Sequence, residues 1–593
     1  MRAIVLMFDS LNRRMVPPFV DAAPADLPQF RRLASRSVAF DRFYAGSMPC
    51  MPARREMHTG RHNFLHRGWG PLEPFDDSAP EILGKNGVHT HLASDHVHYW
   101  EDGGATYHTR FSTWEFLRGQ EGDPWKGVVG AHDIRLPPPQ RMRTQDEVNR
   151  RHMATEATHS QTRTVDAGLE FLETNAEADS WMLQIELFDP HEPFFASERF
   201  RSARGLDPNA SSDWPAYRKV LEDDNHVERV RDEYLALLDQ CDHSLGRVLD
   251  AMDAHEMWDD TMLIVNTDHG FLLGEHGWWA KGVMPWFNEL VHVPMYLWDP
   301  RERRAGERDE RLAQTIDIPS TLLDFFGVRR PDDMQGLPLT ADAPVHDGAL
   351  FGVHGGHVNV TDGRFVYMRA AEDASNRPLE EYTLMPTRMR ARFSVDELAS
   401  WEPAEAFSFT KGLRTLRVDS PTGWLNSWGH GTMLFDLATD PAQLDPVVDD
   451  QTELRMAQLL VDLMRRNDAP ASQFTRLGLP AAGEAEHVHL RARADRERAL
   501  SIAEPLPRES DLAARDLLTL PLADVLSEPA RREVVARYAP DLVHTEMIGL
   551  GRGASILTIA GRAGISAQTL RDLDRDLDAA RRRASRDDGT GAP

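Results

Sequence analysis

Short runs of consecutive apolar residues, each followed by acidic or histidine side chains, recur through the first half of the chain. Residues 2–8 and 262–265 are such runs, residues 182–187 are a strand-like segment that Gln184 and Glu186 interrupt, and each has the length of a buried strand in a parallel sheet. The first run ends at Asp9, and the last leads to Asp268. Because open α/β sheets bind ligands beyond the carboxyl ends of their strands, these polar side chains are candidates for a functional site.

Strand and helix signals alternate over residues 1–340, which predicts an α/β catalytic domain with a doubly wound mixed sheet flanked by helices. Residues 345–470 contain short strand-like pieces separated by turns, which predicts a smaller C-terminal antiparallel-sheet subdomain. Residues 485–586 are rich in Arg, Asp, Ala and Leu at helical spacing, which predicts a helical appendix to which the sequence assigns no role. Residues 587–593 are expected to be disordered.

The charge balance excludes one class of function and restricts another. The chain of 593 residues has 67 basic and 94 acidic residues, a net charge of −27. This excess of acid argues against a nucleic-acid-binding protein, which presents a basic face. An anionic substrate therefore needs a locally basic pocket. The basic cluster of Arg55, His58, Arg61, His62 and Arg67 provides either that pocket or a solvated helix face.

The two cysteines, Cys50 and Cys241, allow no disulfide framework beyond a single pair. Cys241 lies among leucines at helical spacing, which predicts a helix residue in or near the core. No run of about 18 apolar residues occurs, so no membrane span is expected. No signal peptide is visible either, and a cytoplasmic location is expected.

The segment C-M-P-A-R at residues 50–54 is the most informative in the chain. Pro52 suits the first turn of a helix, because its ring presets φ and its missing N–H would be unpaired there. Cys50 would then lie at the helix N-terminus, where backbone N–H groups and the helix dipole attract an anion. Arg54 lies one turn further on and offers a fork for an anionic oxygen. The alternative interpretation is an unmodified, buried cysteine.

Candidate metal ligands follow two of the predicted strands. Asp9 offers a hard oxygen ligand for a divalent cation, although a helix cap or a turn residue is the simpler interpretation of one aspartate. Asp268 and His269 are adjacent oxygen and nitrogen ligands just beyond residues 262–265. Lys281, a little further along, provides a mobile cation that can contact an anionic oxygen.

In their order along the chain, these segments resemble the signature of the sulfatase family. C-M-P-A-R, which continues into T-G-R at residues 59–61, is similar to the C-x-P-x-R motif of sulfatases. D-H-G at residues 268–270, followed by G-E-H-G at 274–277 and Lys281, is similar to the family's second metal segment. The histidine at position 269 is more typical of choline-sulfatases and phosphonate monoester hydrolases, since many sulfatases have asparagine there.

Three further segments extend the resemblance to about residues 1–470. D-P-H-E-P-F at residues 189–194 resembles the family's P-H-x-P-[FY] loop. Residues 96 and 98 align with its lysine and histidine pair, and L-F-D-L-A-T-D-P at 434–441 resembles a phrase of its C-terminal subdomain.

The resemblance implies a sulfuric ester hydrolase with two non-protein features. A formylglycine-generating enzyme, a transient partner, would oxidise Cys50 to formylglycine, whose hydrate is the nucleophile. One divalent cation would be held by Asp9, residue 50, Asp268 and His269. Calcium is expected, and the softer nitrogen of His269 also permits manganese.

The resemblance also implies roles for the polar residues around that nucleophile. Arg54, Lys281 and His96 would spread the charge of the sulfate oxygens. His191 would donate a proton to the departing alcohol oxygen, and His98 would help to deprotonate the second hydroxyl of the hydrate. The expected substrate is a small-molecule or saccharide sulfate ester, with no nucleic-acid or membrane partner, and the sequence leaves the oligomeric state open.

Two departures from the family pattern keep alternatives open. Ser10 stands where sulfatases often have a second metal-binding aspartate, and His96 stands where a lysine is usual. A phosphonate monoester or phosphodiester hydrolase with the same nucleophile is therefore the first alternative. A phosphatase-like relative with an unmodified nucleophile and a non-catalytic binding protein on a sulfatase scaffold are the others.

Overall fold

The computed structural model describes residues 1–21, 24–131, 138–208, 210–343, 345–420, 426–543, 554–563 and 565–587. The tail predicted to be disordered, residues 587–593, lies outside these ranges except for Asp587. None of the helices within these ranges combines the length and the apolar character that crossing a bilayer requires.

A large mixed sheet forms the centre of the first 340 residues. The strands of this region are β1 (Arg2–Phe8), β2 (Val38–Tyr44), β3 (His89–Ser94), β4 (Thr113–Phe116), β5 (Trp181–Leu187), β6 (Thr261–Asn266), β7 (Leu272–Leu273), β8 (Trp279–Ala280), β9 (Met295–Trp298) and β10 (Glu307–Gln314). β7 and β8 pair with each other, and the other eight form one sheet in the order β10-β2-β9-β6-β1-β5-β3-β4. β9 is antiparallel to both neighbours, whereas the remaining pairings are parallel.

Helices cover both faces of this sheet. They are α1 (Pro28–Arg36), α2 (Cys50–Thr59), α3 (Ala79–Lys85), α4 (Ala105–His108), α5 (Pro138–Arg150), α6 (Ser160–Thr174), α7 (Glu198–Ala203), α8 (Asp224–Ala254), α9 (Asn288–Val291) and α10 (Asp317–Phe325). Along β1, Ala3 and Val5 belong to one apolar core, and Ile4, Leu6 and Phe8 belong to the other. Burial on both faces explains why β1 is an unbroken apolar run, and the predicted α/β class with a mixed sheet is confirmed.

Two smaller antiparallel sheets follow. Their strands are β11 (Ala349–Gly352), β12 (Val358–Thr361), β13 (Phe365–Arg369), β14 (Glu380–Thr383), β15 (Glu402–Ala404), β16 (Thr415–Asp419) and β17 (Met433–Asp436). The first sheet has the order β11-β12-β13-β17 and the second has the order β14-β16-β15. The helices of this part are α11 (Val395–Ala399), α12 (Asp450–Arg466) and α13 (Ala471–Leu477). The loop after β14 reaches the main domain, since Met389 N–H donates to Trp69 O at 3.2 Å.

The last part of the chain is helical, as expected. Its helices are α14 (Ala492–Ala503), α15 (Arg515–Leu518), α16 (Leu522–Leu526), α17 (Pro529–Tyr538), α18 (Ile556–Ala563) and α19 (Ala567–Asp587). Within the predicted helical appendix, residues 512–526 contain two short helices, separated by Pro521. The apolar core of this part includes Leu221 of the main domain. Arg562 Nε also donates to Tyr217 O at 2.9 Å, so the appendix packs on the segment around residues 217–221.

Candidate active site and metal centre

Four parallel strands bring residues from distant parts of the sequence to one edge of the sheet. In the order β6-β1-β5-β3, these strands end just before Asp268, Asp9, Asp189 and Asp95. Because parallel strands present their carboxyl ends at the same edge, the loops that follow them meet there. The acidic and histidine residues that follow the apolar runs therefore surround one point.

Cys50 reaches this point as the first residue of α2. Its Sγ lies 3.3 Å from His269 Nε2, and it is buried. One potential ligand atom from each of Asp9, Cys50, Asp268 and His269 lies within 4.8 Å of the others. Burial, with a smaller contribution from the charge of Asp9, raises the pKa of the Cys50 thiol well above its usual range. The sequence-predicted ligand set is thus brought together, with an uncharged thiol in its midst.

The two carboxylates of this set have opposed electrostatics. Burial disfavours the ionisation of Asp9, but the charges of Lys281 and Arg54 outweigh it and hold its pKa well below its usual range. Burial and then the charge of Asp9 raise the pKa of Asp268 to about 7. The positive charge of a bound cation would relieve the repulsion between the carboxyl groups of Asp9 and Asp268. Two carboxylate oxygens and an imidazole nitrogen suit a divalent cation, so the residues present fit such an ion.

Arg54 binds the carboxylates that surround Cys50. Its Nη2 lies 2.9 Å from Asp9 Oδ2, and its Nη1 lies 2.9 Å from Asp268 Oδ2. Its Nε donates to Glu186 Oε1 at 2.7 Å. Each guanidinium nitrogen therefore already has a protein acceptor. The guanidinium group that was expected to bind a sulfate oxygen binds carboxylates instead. This geometry makes Arg54 a residue that positions the ligand set.

Ser10 occupies the place of the expected second aspartate and connects Lys281 to Asp9. Its Oγ donates to Asp9 Oδ1 at 2.8 Å, and its N–H donates to Asp268 Oδ1 at 3.1 Å. Lys281 Nζ lies 3.7 Å from Asp9 Oδ1. The backbone of Ser10 has φ 65°, a left-handed conformation that non-glycine residues seldom adopt outside functional sites.

The three sequence-predicted histidines lie close to this centre in different environments. The ring of His96 stacks edge-on against that of His98 with centroids 4.9 Å apart, and neither of its nitrogens has a hydrogen-bond partner among the described residues. Burial and the charge of Arg54 lower the pKa of His96 well below its usual range. The lowered pKa disfavours the positive charge that His96 would need in order to replace the lysine of the family pattern.

His98 and His191 each face a carboxyl group. His98 Nδ1 lies 2.9 Å from Glu101 Oε2, and His191 Nδ1 lies 3.2 Å from Glu192 Oε2. Burial lowers the pKa of both histidines, most strongly that of His191, on which the charge of Lys281 also acts. Both rings are therefore poised to exchange protons rather than to carry a permanent charge.

The basic cluster around α2 is neither a substrate pocket nor a solvated face. Arg55 and Arg61 both bind Asp76, and Arg67 binds Glu73. These side chains are buried, and their charges are neutralised within the fold. The basic character of the site comes instead from Lys281 and Arg54.

Several polar residues at the site carry no sequence motif. Glu186 lies inside β5, and it also accepts a hydrogen bond from Tyr99 OH at 2.7 Å. Its only sequence signal is a charged residue within an otherwise apolar run of a buried strand. Glu121 and Tyr217 lie in irregular segments, where no periodicity marks them; Tyr217 OH donates to Glu192.

Comparisons with known proteins agree with this geometry. A family model described as Sulfatase matches residues 3–328. An N-acetylglucosamine-6-O-sulfatase of Bacteroides thetaiotaomicron is 34% identical over 121 residues, which are 20% of this chain and 21% of that protein. A choline-sulfatase of Rhizobium meliloti is 26% identical over 364 residues, which are 55% of this chain and 67% of that protein. The chain thus aligns with about a fifth of the first relative's length and two thirds of the second's.

A solved structure shares the fold. It is that of a protein in complex with its substrate D-glucosamine-2-N,6-O-disulfate, with a TM-score of 0.55 and 14% identity. The likeness covers 79% of this chain and 98% of that one. At this identity the likeness concerns the fold alone.

Proposed function

The chain belongs to the sulfatase family, and from that premise we propose that it hydrolyses a sulfate ester with a formylglycine made from Cys50 as the nucleophile. The observation that carries the proposal is the clustering of Asp9, Cys50, Asp268 and His269 within 4.8 Å of one another. An unmodified Cys50 is a weak alternative nucleophile, because its raised pKa keeps it a thiol rather than a thiolate. When formed, the hydrated aldehyde supplies one hydroxyl to attack sulfur and a second to release the sulfate.

The same four residues would hold one divalent cation, for which we propose calcium, with manganese as the alternative. When bound, the ion supplies Lewis-acid assistance and lowers the pKa of the nucleophilic hydroxyl. The chain prepares this site itself, because Arg54 holds the carboxylates of Asp9 and Asp268 at fixed positions.

Lys281 is the residue that binds the sulfate. Burial lowers the pKa of its ammonium group, but the acidic groups around it, first Cys50 and then Glu192, Asp9 and Asp268, raise that pKa above its usual range. An ammonium fixed inside the protein stabilises charge on a sulfate oxygen more strongly than one in water. His96, being neutral, contributes a hydrogen bond rather than a charge.

His191 protonates the alcohol oxygen that leaves, and His98 takes a proton from residue 50 as sulfate is released. Burial, with the charge of Lys281, lowers the pKa of His191, so the protonated ring is a strong acid that gives its proton readily to the leaving oxygen. Glu101 orients His98 through its Nδ1 and leaves Nε2 available for proton transfer.

We propose a saccharide sulfate as the substrate class. The support is the sequence similarity to an N-acetylglucosamine-6-O-sulfatase, at 34% identity over 121 residues. Residues 1–340 would supply the chemistry, residues 345–470 the sheet subdomain that completes the fold, and residues 485–586 a helical cover for the segment around Tyr217.

Turnover and mass spectrometry together test the proposal. The protein, produced with a formylglycine-generating enzyme, is assayed on sugar sulfates, aryl sulfates and phosphonate monoesters, and the peptide that contains residue 50 is weighed. We expect formylglycine at residue 50 and higher kcat/KM on sulfate esters. Faster turnover of phosphonates would assign the chain to the alternative hydrolase, and active protein with only unmodified cysteine would refute the nucleophile.

A further inference from the structure

A strained turn presents Glu121 to the active site. Gly119, Glu121 and Gly122 all have positive φ, at 138°, 45° and 68°. A glutamate in the left-handed region is held there against its own conformational preference. Strain of this kind persists where the surrounding structure fixes it, and it concentrates at functional sites.

Gln120 anchors this turn to the loops that carry the catalytic histidines. Its Nε2 lies 3.2 Å from Asp95 Oδ2 and 3.1 Å from Asp189 Oδ1. Asp95 directly precedes the His96–His98 segment, and Asp189 precedes His191. The position of Glu121 is therefore coupled to the positions of these histidines.

Glu121 and Glu192 face the same space beside His191. One potential ligand atom from each of these three residues lies within 4.8 Å of the others. The side chain of Glu121 is 10% exposed and that of Glu192 is 0% exposed. Oε2 of each glutamate accepts no hydrogen bond from any residue that the structure describes, because His191 Nδ1, 3.2 Å from Glu192 Oε2, bonds to the backbone oxygen of Glu192 instead. Two buried carboxylate oxygens without donors are costly unless a ligand supplies them.

This space lies beside His191, the residue proposed to protonate the leaving group. Glu121 Oε2 lies 3.9 Å from His98 Nε2 and 3.9 Å from Arg390 Nη2, at the rim of the site. Burial raises the pKa of Glu121 to about 8, against the charge of Arg390, and burial also raises the pKa of Glu192, against the charge of Lys281. Tyr217 OH donates to the other oxygen of Glu192 and fixes its orientation.

We propose that Glu121, together with Glu192, binds a hydrogen-bond donor, an amino or hydroxyl group, on the alcohol part of the substrate. The inference rests on the proposed sulfate-ester hydrolysis and specifies which esters are hydrolysed best. It assigns Glu121 a role in substrate selection, since the bond that breaks is elsewhere. A metal ion held by Glu121, His191 and Glu192 is the competing explanation of the cluster.

Four sulfate esters and one isosteric variant test the proposal. Glucosamine 6-sulfate and glucose 6-sulfate carry donors, whereas hexyl sulfate has a similar primary alkyl leaving group without them. 4-Nitrophenyl sulfate reports on the sulfate chemistry alone. Glu121→Gln should lower kcat/KM about 10- to 100-fold on the donor-bearing esters, as expected when one acceptor oxygen becomes an amide NH2 group, and change it less than about threefold on the two others.

The matched control is Glu173→Gln at an exposed glutamate of α6, which should change none of the four. A larger loss on glucosamine 6-sulfate than on glucose 6-sulfate identifies an ammonium donor, and equal losses identify a hydroxyl; either supports the proposal. If Glu121→Gln folds poorly, Glu121→Ala and the wild-type preference for glucose 6-sulfate over hexyl sulfate give the same test.

Three results would overturn the proposal. These are equal losses on all four esters, wild-type turnover of 4-nitrophenyl sulfate but of no donor-bearing ester, and elemental analysis showing that Glu121→Gln removes one of two bound ions. A wild-type protein that hydrolyses none of the four esters would instead refute the proposed function, and with it the inference.

Discussion

Lys281 Nζ donates a hydrogen bond of 2.8 Å to Ser10 Oγ, across 271 positions of sequence. Ser10 in turn donates to Asp9 Oδ1, so the serine hydroxyl connects the lysine ammonium group to a proposed metal ligand by two hydrogen bonds. A second aspartate at position 10 would have formed an ion pair with Lys281. Serine leaves the ammonium group freer to meet a sulfate oxygen, which gives this departure from the family pattern a physical meaning.

Ser10→Ala removes this connection without adding bulk. We expect kcat/KM on a sulfate ester to fall about tenfold or more, because Lys281 loses a charge-assisted hydrogen bond worth about 1.5–3 kcal/mol. Steady-state kinetics on 4-nitrophenyl sulfate measures the loss. Ser211→Ala, at an exposed serine, is the control, and equal activities of the two variants would remove Ser10 from the network.

Cys50→Ala should abolish turnover, because the proposed nucleophile is lost. Cys241→Ala should keep most of the activity, because Cys241 is a buried residue of α8 that accepts a hydrogen bond from Gln161 Nε2, at 3.2 Å, and is not among the clustered ligands. Kinetic assays with melting temperatures separate loss of chemistry from loss of folding. Substantial activity in folded Cys50→Ala would contradict the assignment of residue 50.

Asp9→Asn and Asp268→Asn should each remove the bound divalent ion and the activity, because each takes a negative charge from a hard-cation site. Elemental analysis of the purified protein measures the ion, and turnover with added calcium or manganese measures which ion restores activity. Asp342→Asn, at an exposed aspartate, should retain the ion. Stoichiometric metal in folded Asp9→Asn and Asp268→Asn would place the site elsewhere.

His191→Ala should lower the turnover of a substrate more, the poorer its leaving group is. General acid catalysis is worth about 10²- to 10⁴-fold, so the loss on a sugar sulfate should approach that range and shrink on 4-nitrophenyl sulfate. His98→Ala should slow both esters alike, because it acts after the alcohol has left. If His191→Ala lost equally on both esters, with chemistry shown to be rate-limiting, His191 would not be the acid.

Asp95→Asn should change how stability depends on pH. Burial raises the pKa of Asp95 to about 6, although hydrogen bonds from Phe188 N–H and Gln120 oppose the shift. In the unfolded chain the pKa of an aspartate is about 3.9. The folded protein therefore holds an extra proton between about pH 4 and 6, and the free energy of unfolding falls by about 3 kcal/mol as the pH rises through that window.

The variant lacks this proton, so its stability relative to wild type should rise over the same window. Denaturant unfolding at pH 4, 5, 6 and 7 measures the difference, with Asp342→Asn as the control. If the free energies of unfolding of wild type and Asp95→Asn changed in parallel with pH, Asp95 would be ionised in the folded protein over the whole range from pH 4 to 7.

The main chemical features of this protein could be predicted from its sequence. The apolar run of β1, the ligand pair Asp268 and His269, and the segment C-M-P-A-R each depend on local features. Strand ends, a helix start and motif spacing are properties of neighbouring residues, so they can be read before the chain is folded. The mixed α/β class was accessible for the same reason.

The partners of the other charged residues near the site became known from the tertiary structure alone. It showed that the arginines near α2 are neutralised by Asp76 and Glu73, and that Arg54 binds Glu186, which is 132 positions away. It also brought Glu121 and Glu192 together beside His191. These pairings depend on how strands are ordered in the sheet and on which side chains burial deprives of water. A charge acquires its partner and its pKa from that packing, which no local pattern specifies.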